Sequence, residues 1–211
     1  MKTATLFVAL TTSMLMFLAV QKSDQKIVKT STLRMSQIAG HELFVLKKCN
    51  ECHTLANKAE GELTPLGSKG EDDWFKQHVS EESEIVLGEA KSKRKKRRIL
   101  KREITALTDF LFDAKAAEKK QVLALPENIR QGAYLGYQNN CLGCHKIAGT
   151  GKEVGPDLTY VADKKSGREW FIKNLENPQQ FSPESPMPAF EGKLSEEVIG
   201  LIADYVLTLR K

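Results

Sequence analysis

The chain has four cysteines, and their arrangement constrains its fold more than any other sequence feature. They occur in two copies of one pattern, Cys-Asn-Glu-Cys-His at residues 49–53 and Cys-Leu-Gly-Cys-His at residues 141–145. In each copy an imidazole directly follows two thiols that lie three positions apart. The fold must therefore present two thiols and an imidazole on one short turn, and must do so twice.

This pattern predicts covalent attachment of haem c, an iron cofactor. Two thiols on one helical turn can reach the two vinyl groups along one porphyrin edge, and the adjacent imidazole then lies beneath the iron. A covalently held haem also stabilises a small domain with a modest core. The predicted thioether-forming residues are Cys49, Cys52, Cys141 and Cys144, and the predicted iron ligands are His53 and His145.

Other uses of paired cysteines explain the pattern less well. Exported proteins commonly form disulfides, but a disulfide leaves the histidine after each pair without a role. Zinc sites built from two such pairs have them about 15–20 residues apart, whereas 88 residues separate Cys52 from Cys141. A redox-active pair needs a strand–helix–strand context, and the sequence shows no strand-like alternation.

The sequence repeats itself around the two cysteine motifs. A glycine lies nine positions before each motif, and a proline and then a tryptophan follow each motif at comparable spacings. These pairs are Gly40 and Gly132, Pro65 and Pro156, and Trp74 and Trp170. Self-similarity of this kind indicates a duplicated structural unit.

Each copy ends in an amphipathic helical pattern. Apolar residues recur at i, i+3, i+7 and i+8 in both copies, namely Ile104, Leu107, Leu111 and Phe112, and Val198, Leu201, Tyr205 and Val206. Ser195 is the predicted N-cap of the second helix. We therefore expect an all-α fold with a first domain at residues 30–113, a connector at 114–125 and a second domain at 126–211.

The N-terminus predicts export. Eighteen uncharged, mostly apolar residues, Thr3–Val20, lie between Lys2 and the polar pair Gln21 and Lys22. We interpret residues 1–22 as an uncleaved membrane anchor helix, with a cleaved signal peptide and a buried core helix as the alternatives. The anchor and the signal both place the other residues on the periplasmic side of the cytoplasmic membrane.

Positive charge is concentrated in one segment. Nine of the twelve residues from Lys91 to Arg102 are Lys or Arg, and without them the formal charge of +5 becomes negative. This distribution argues against a nucleic-acid-binding surface, which would be basic more broadly. The segment is interpreted as a solvated loop that leads into the first closing helix, as a docking site for an acidic redox partner, or as a contact with anionic lipid.

Beyond these patterns, the chain resembles the class I cytochromes c, and specifically the members with two tandem domains and two haems. The resemblance is closest in the second half. It rests on Gly132 and Tyr134 before the motif, and on Gly-Pro-Asp-Leu at 155–158, Trp170 and Ser-Pro-Met-Pro at 185–188 after it.

The resemblance implies a set of haem contacts. His145 is implied to be the proximal ligand, Pro156 to supply the carbonyl that orients its imidazole, and Met187 to be the distal ligand. Independently, a methionine between two prolines lies in a stiff, extended segment. Pro65 is the counterpart of Pro156 in the first half, and Trp74 and Trp170 are expected to contact the two haems. Ligation by histidine and methionine favours electron transfer.

The first half departs from this pattern because no methionine lies between its motif and the second domain. We call the haem predicted at Cys49 and Cys52 haem 1, and the haem predicted at Cys141 and Cys144 haem 2. We consider His78, four residues after Trp74, as the distal ligand of haem 1. Lys91 or Lys93, which align with Met187, are alternatives. A distal position without a protein ligand is a further alternative, as is a ligand from elsewhere such as Met35 or His41. A pair of histidine ligands would give haem 1 a lower potential than haem 2.

These features predict an electron carrier rather than an enzyme. We expect electron transfer in a respiratory chain at the outer face of the bacterial cytoplasmic membrane, between a quinol-oxidising complex and an oxidase or reductase. One alternative is a catalytic or sensory protein, peroxidase-like or gas-binding, with an open distal site on haem 1. Another is a fixed cytochrome subunit of a larger respiratory complex.

Overall fold

The computed structural model describes residues 28–51, 53, 55, 73–82, 92–165 and 167–211, and these residues are mostly helical. Helices α1 (Met35–Leu46), α2 (Asp73–Glu82) and α3 (Lys93–Thr108) come first, and α3 continues into a π-helical turn, Asp109–Asp113. Helices α4 (Ala116–Leu123), α5 (Glu127–Gln138), α6 (Val161–Lys164), α7 (Arg168–Glu176) and α8 (Glu196–Val206) follow. The predicted helical class is confirmed, with the addition of a short antiparallel pair, β1 (Lys146–Ile147) and β2 (Thr150–Gly151).

Two helix crossings share the same close backbone approach. A Cβ atom added to Gly40 of α1 would lie 2.0 Å from the carbonyl oxygen of Ala106 in α3. A Cβ atom added to Gly132 of α5 would lie 2.0 Å from the carbonyl oxygen of Leu201 in α8. Only glycine allows two backbones to approach so closely. The two glycines that repeat in the sequence therefore occupy the same kind of crossing.

The two halves of the chain are in contact through helices α1 and α5. Arg130 of α5 donates a hydrogen bond to Glu42 of α1 over 2.7 Å. Near the C-terminus, the backbone N–H of Thr30 donates to the carbonyl of Thr208 over 3.1 Å. The buried apolar residues of both halves form one contiguous core cluster.

The connector at residues 114–125 contributes to this core. It contains α4, whose first turn is capped when the backbone N–H of Lys115 donates to Glu118 over 2.9 Å. Gln37 of α1 also donates to Glu118, over 3.0 Å. Val122 is fully buried. The connector is therefore a packed helix, a feature that its Lys- and Ala-containing sequence did not reveal.

The closing helices bury only part of each predicted face: Leu107, Leu111, Tyr205 and Val206 are buried, whereas Val198 and Leu201 are partly buried. In α3 and the π-helical turn the most buried positions are Glu103, Ala106, Leu107 and Phe110, whereas Ile104 and Phe112 are only partly buried. The buried face is rotated because Ala106 and Phe110 lie at the crossing with Gly40. The N-cap prediction is confirmed, since the Ser195 hydroxyl accepts from the backbone N–H of Val198 over 3.3 Å.

The segment interpreted as a signal or anchor, residues 1–22, lies outside the described residues. Among the helices that the structure describes, none is long and apolar enough to cross a membrane.

Candidate haem-binding sites

The described residues of the two cysteine motifs share two backbone features. Lys48 and Asn140, the residues before the first cysteines, both adopt the left-handed region, with φ of 57° and 63°. The backbone N–H of His53 donates to the carbonyl of Cys49 over 2.8 Å, and that of His145 donates to the carbonyl of Cys141 over 2.9 Å. The left-handed residue turns the chain out of the preceding helix. Each motif therefore begins immediately after an N-terminal helix, α1 or α5.

The two thiols of the second motif lie in different environments. Cys144 is exposed, whereas Cys141 lies against the core, and burial raises the pKa of the Cys141 thiol to about 11. Both are free thiols and neither belongs to a disulfide. The disulfide alternative therefore does not hold for this motif, and its two thiols remain available for thioether bonds.

The imidazole of His145 is held from two sides. Its Nδ1 atom lies 2.8 Å from the carbonyl oxygen of Pro156, which can only accept a hydrogen bond, so Nδ1 is the donor. A Cβ atom added to Gly155 would lie 2.6 Å from Cε1 of the same ring. With its proton on Nδ1, the ring keeps the lone pair of Nε2 for a metal ion.

Met187 lies in a loop that is fixed by side-chain hydrogen bonds. The Gln179 amide donates to the carbonyl oxygens of Ser185 and Met187, over 2.9 and 2.8 Å. The Ser185 hydroxyl accepts from the backbone N–H of Met187 over 3.3 Å. Met187 is partly buried and packs against the core. A thioether is a weak ligand, so its position depends on the surrounding protein. These hydrogen bonds limit the positions that the Met187 backbone can adopt.

Trp170 of α7 lies within an aromatic group in the second half. Its ring centroid is 5.1 Å from that of Phe171 and 5.4 Å from that of Phe181. The ammonium group of Lys165 lies 5.1 Å from the Trp170 ring centroid. These contacts hold the tryptophan on the same side of the molecule as the loop that follows Phe181.

In the first half, α2 brings His78 close to His53. Among the α2 side chains that the structure describes, Phe75 and Val79 are buried, and the Phe75 ring packs edge-on against Phe112 at 5.3 Å. His78 lies beside this buried face and is exposed. The ring centroids of His53 and His78 are 6.4 Å apart, and the ring planes are nearly perpendicular, at 89°.

The other residues considered for haem 1 lie elsewhere. Lys93 is exposed at the first turn of α3. Met35 is buried at the start of α1 and points towards Gly136 of α5 in the second half. His41 is buried edge-on against Phe110, 5.3 Å away.

Helix α3 lies beside both helices that lead into the motifs. Glu103 forms a fully buried ion pair of 3.1 Å with Lys47, two residues before Cys49. The hydroxyl of Tyr137, four residues before Cys141, donates to the carbonyl of Arg102 over 3.0 Å. Adjacent residues of α3 thus contact the ends of α1 and α5.

Comparisons with known proteins agree with this arrangement. Residues 127–206 match the family described as cytochrome c oxidase, cbb3-type, subunit III. Cytochrome c6 of Euglena gracilis is 33% identical over 72 residues, which cover 34% of this chain and 83% of that protein. The chain belongs to the cytochrome c family. Membership of this family therefore confirms two predictions, a covalently bound haem c and cytochrome c-type electron transfer.

A longer relative of this cytochrome is a subunit of an oxidase. Cytochrome c oxidase subunit 2 of Alkalihalophilus pseudofirmus is 30% identical over 106 residues, which cover 47% of this chain and 29% of that subunit. The cytochrome thus spans less than a third of the length of this relative. No solved structure matches the chain.

The second motif of the cytochrome fits a covalently bound haem. It offers two free thiols, an imidazole with Nε2 available, and a glycine that leaves room beside the ring. Several predicted contacts lie outside the described residues: Cys52, Pro65, Lys91 and the side chain of Trp74. Among the described residues, no group of three or more His, Cys, Asp or Glu side chains forms a separate metal site.

The sequence did not predict the roles of Gln179 and Gly155 in the second haem-binding site of the cytochrome. Gln179 carries no motif signal, and only the folded loop brings its amide to the backbone around Met187. Gly155 is part of the Gly-Pro-Asp-Leu run, but its closeness to the His145 ring depends on how the chain returns after β2. An invariant glycine in related sequences would have been the signal for the second case.

Proposed function

We propose that this cytochrome carries two haems c in tandem domains and transfers electrons in a respiratory chain at the outer face of the cytoplasmic membrane. The observation that carries the proposal is the duplicated attachment turn, with a left-handed residue before the first cysteine and the same histidine-to-cysteine hydrogen bond in both copies. The duplicated glycine crossings support it, because each copy then has its own pair of packed helices.

In the second domain, Cys141 and Cys144 would form the thioether bonds, and His145 and Met187 would occupy the two axial positions. The iron of a bound haem supplies a one-electron couple between its ferrous and ferric states. Pro156 fixes the imidazole, and Gln179 fixes the backbone at Met187. Two protein ligands that stay in place leave no position for a substrate, which is why we propose a carrier rather than an enzyme.

In the first domain, we propose that His53 and His78 would both hold the iron of a bound haem. Their ring centroids lie 6.4 Å apart. At this separation both imidazoles are close enough to bind one metal ion, since each metal–nitrogen bond is about 2.0 Å. Lys93 is less suitable, because it lies on α3 and no contact places it beside His53. Histidine pairs lower a haem potential relative to histidine with methionine.

The placement of α3 supports transfer between the two haems within one molecule. Its residues Arg102 and Glu103 contact the ends of both helices that carry the attachment motifs. The segments that lead into the two motifs therefore both contact one turn of α3. We propose that electrons pass between a lower-potential haem 1 and a higher-potential haem 2, and that redox proteins such as a quinol-oxidising complex and an oxidase exchange electrons with this pair.

The haem content of purified protein tests the two-haem proposal. We expect the intact mass to exceed that of the polypeptide by two haems. Replacing Cys49 and Cys52 with serine should remove one haem, and replacing Cys141 and Cys144 should remove the other. A potentiometric titration of the unmodified protein should resolve two one-electron steps. A mass that corresponds to one haem would reject the proposal.

A second experiment tests ligation by His78. We expect the oxidised protein to give two low-spin signals in electron paramagnetic resonance, and the reduced protein not to bind carbon monoxide. His78→Ala should convert one signal to high spin and allow carbon monoxide binding. Gln77→Ala, at the adjacent position of α2, serves as the matched control and should leave both signals unchanged. A low-spin spectrum in the His78 variant would exclude this ligand, and a high-spin signal in the unmodified protein would favour the gas-binding alternative.

A fixed subunit of an oxidase complex is a second candidate function. The family match to an oxidase subunit and the similarity to an oxidase subunit 2 both favour it. Gentle detergent extraction of membranes followed by native gel electrophoresis separates the candidates. Haem staining at the mass of the single chain supports a separate carrier, whereas staining only in a larger complex with oxidase activity supports the subunit.

A further inference from the structure

A positively charged pocket lies between α3 and the end of α5. It has a volume of about 350 Å³ and is lined by Arg98, Lys101, Arg102, Thr105, Tyr137 and Asn140. All the ionic side chains in this lining are cations, and no carboxylate is among them. The pocket therefore concentrates positive charge, and none of its lining residues supplies a negative charge to balance it.

The burial of the Arg102 side chain in this pocket is energetically unfavourable. Its Nε atom is buried and makes no hydrogen bond to any residue in the part of the chain that the structure describes. Burial lowers the pKa of the Arg102 guanidinium, and the nearby charge of Arg98 lowers it further. A buried donor without an acceptor costs free energy, and negative charge in the pocket would offset the burial of the guanidinium charge.

The charge pattern of α3 also favours an anion. Arg98 and Arg102 lie four positions apart on this helix, and both line the pocket. Like charges at this spacing destabilise a helix. A bound anion would reduce this repulsion along α3.

The pocket also offers neutral hydrogen-bonding groups. The exposed side-chain amide of Asn140 lies at its edge, next to Cys141. The hydroxyl of Tyr137 donates to the carbonyl of Arg102 over 3.0 Å and so fixes the backbone that carries the guanidinium. A compact group with several oxygen acceptors matches these donors best, since charge-assisted hydrogen bonds to oxyanions are short and strong.

We propose that this pocket binds one oxyanion group, a phosphate or a carboxylate, held by Arg98, Lys101 and Arg102. The site goes beyond electron transfer by haem. Asn140 directly precedes the second attachment motif. An anion bound here lies beside that motif, either as a free ion or as an acidic side chain of a docked protein.

The test is a titration of the reduced holoprotein with inorganic phosphate at constant ionic strength, followed through the amide resonances of Thr105 and Asn140. We expect saturable shifts in the unmodified protein. The pocket variant R98Q/K101Q/R102Q should raise the half-saturation concentration at least about tenfold. The control variant K93Q/R94Q/R97Q removes the same charges from the same helix outside the pocket, and should change that concentration less than about threefold.

A hexaglutamate peptide in place of phosphate distinguishes the two sources of the anion. Binding of phosphate with the expected variant pattern supports a free ion, and binding of the peptide alone with that pattern supports a carboxylate from a partner. Equal losses in the two variants, or no saturable binding of either probe, would overturn the pocket. If the triple variant does not fold, Lys101→Gln, at an exposed position, replaces it. Haem content and spectra of each variant show separately whether electron-transfer function is intact.

Discussion

At the scale of single residues, Gly155 has the most restricted role. A Cβ atom at this position would lie 2.6 Å from Cε1 and 2.9 Å from Nδ1 of the His145 ring. We predict that Gly155→Ala tilts the imidazole away from the Pro156 carbonyl and weakens the iron–histidine bond. The expected result is a higher potential of one haem, because a weaker imidazole donor stabilises ferric iron less. Potentiometric titration measures this shift, and the other haem should be unchanged. Gly149→Ala is the control, since open space surrounds that glycine, although its φ of +76° adds some strain.

Gln179 gives a second prediction at this scale. Gln179→Leu removes both donors to the Met187 loop but keeps a side chain of similar size. We expect the loop to loosen and the methionine ligand to be displaced more easily by added imidazole, at roughly a tenfold lower concentration. The long-wavelength absorption band of methionine-ligated ferric haem measures this displacement. Gln180→Leu, at the exposed neighbouring position, should leave the band and its imidazole sensitivity as they are in the unmodified protein.

At the scale of elements, the two glycine crossings determine how the helices pack. Gly132→Ala would bring a methyl group to 2.0 Å from a backbone oxygen of α8, which cannot move without shifting the whole helix. We predict a loss of about 3 kcal/mol or more in the free energy of unfolding, measured by chemical denaturation. Gly136→Ala on the same helix meets the flexible end of Met35 at 3.2 Å and the Cys141 sulfur at an ordinary contact distance of 3.7 Å, and should cost less than about 1 kcal/mol. Similar costs for the two variants would show that the crossing tolerates a larger separation.

At the scale of the whole molecule, Glu42 links the halves and gives stability a pH dependence. Burial by itself raises the pKa of Glu42, but hydrogen bonds from His41 and Arg130 outweigh it, and the pKa lies below its ordinary value. A carboxyl with a lowered pKa stabilises the fold above its ordinary pKa, and this contribution is lost as the pH falls through the folded-state pKa. We predict that Glu42→Gln destabilises the protein by about 2 kcal/mol at neutral pH. The difference from the unmodified protein should shrink below about pH 4.

Thermal unfolding between about pH 7 and about pH 3 measures this difference. Glu191→Gln makes the same chemical change at an exposed position and should follow the unmodified protein at every pH. A constant gap between the Glu42 variant and the unmodified protein would show that the ionisation of Glu42 does not contribute.

The sequence by itself determined the chemistry of this cytochrome. Covalent haem attachment requires fixed residue types at fixed spacing, so the two motifs at 49–53 and 141–145 were legible without a structure. Local rules were equally legible: Ser195 was predicted as an N-cap because an N-cap depends on a hydroxyl three residues before an unpaired N–H. The repeated glycines indicated a duplicated unit, although not that each of them lies at a helix crossing.

Only the tertiary structure decided which residues meet across the chain. The face that α3 buries, the packing of α4 into the core, the approach of His78 to His53 and the hydrogen bonds of Gln179 all depend on contacts between distant segments. Periodicity reports only that a helix has an apolar side, and it does not specify the partner that covers that side. The charged pocket between α3 and α5 exists for the same reason, since its walls come from two halves that the sequence presents as separate units.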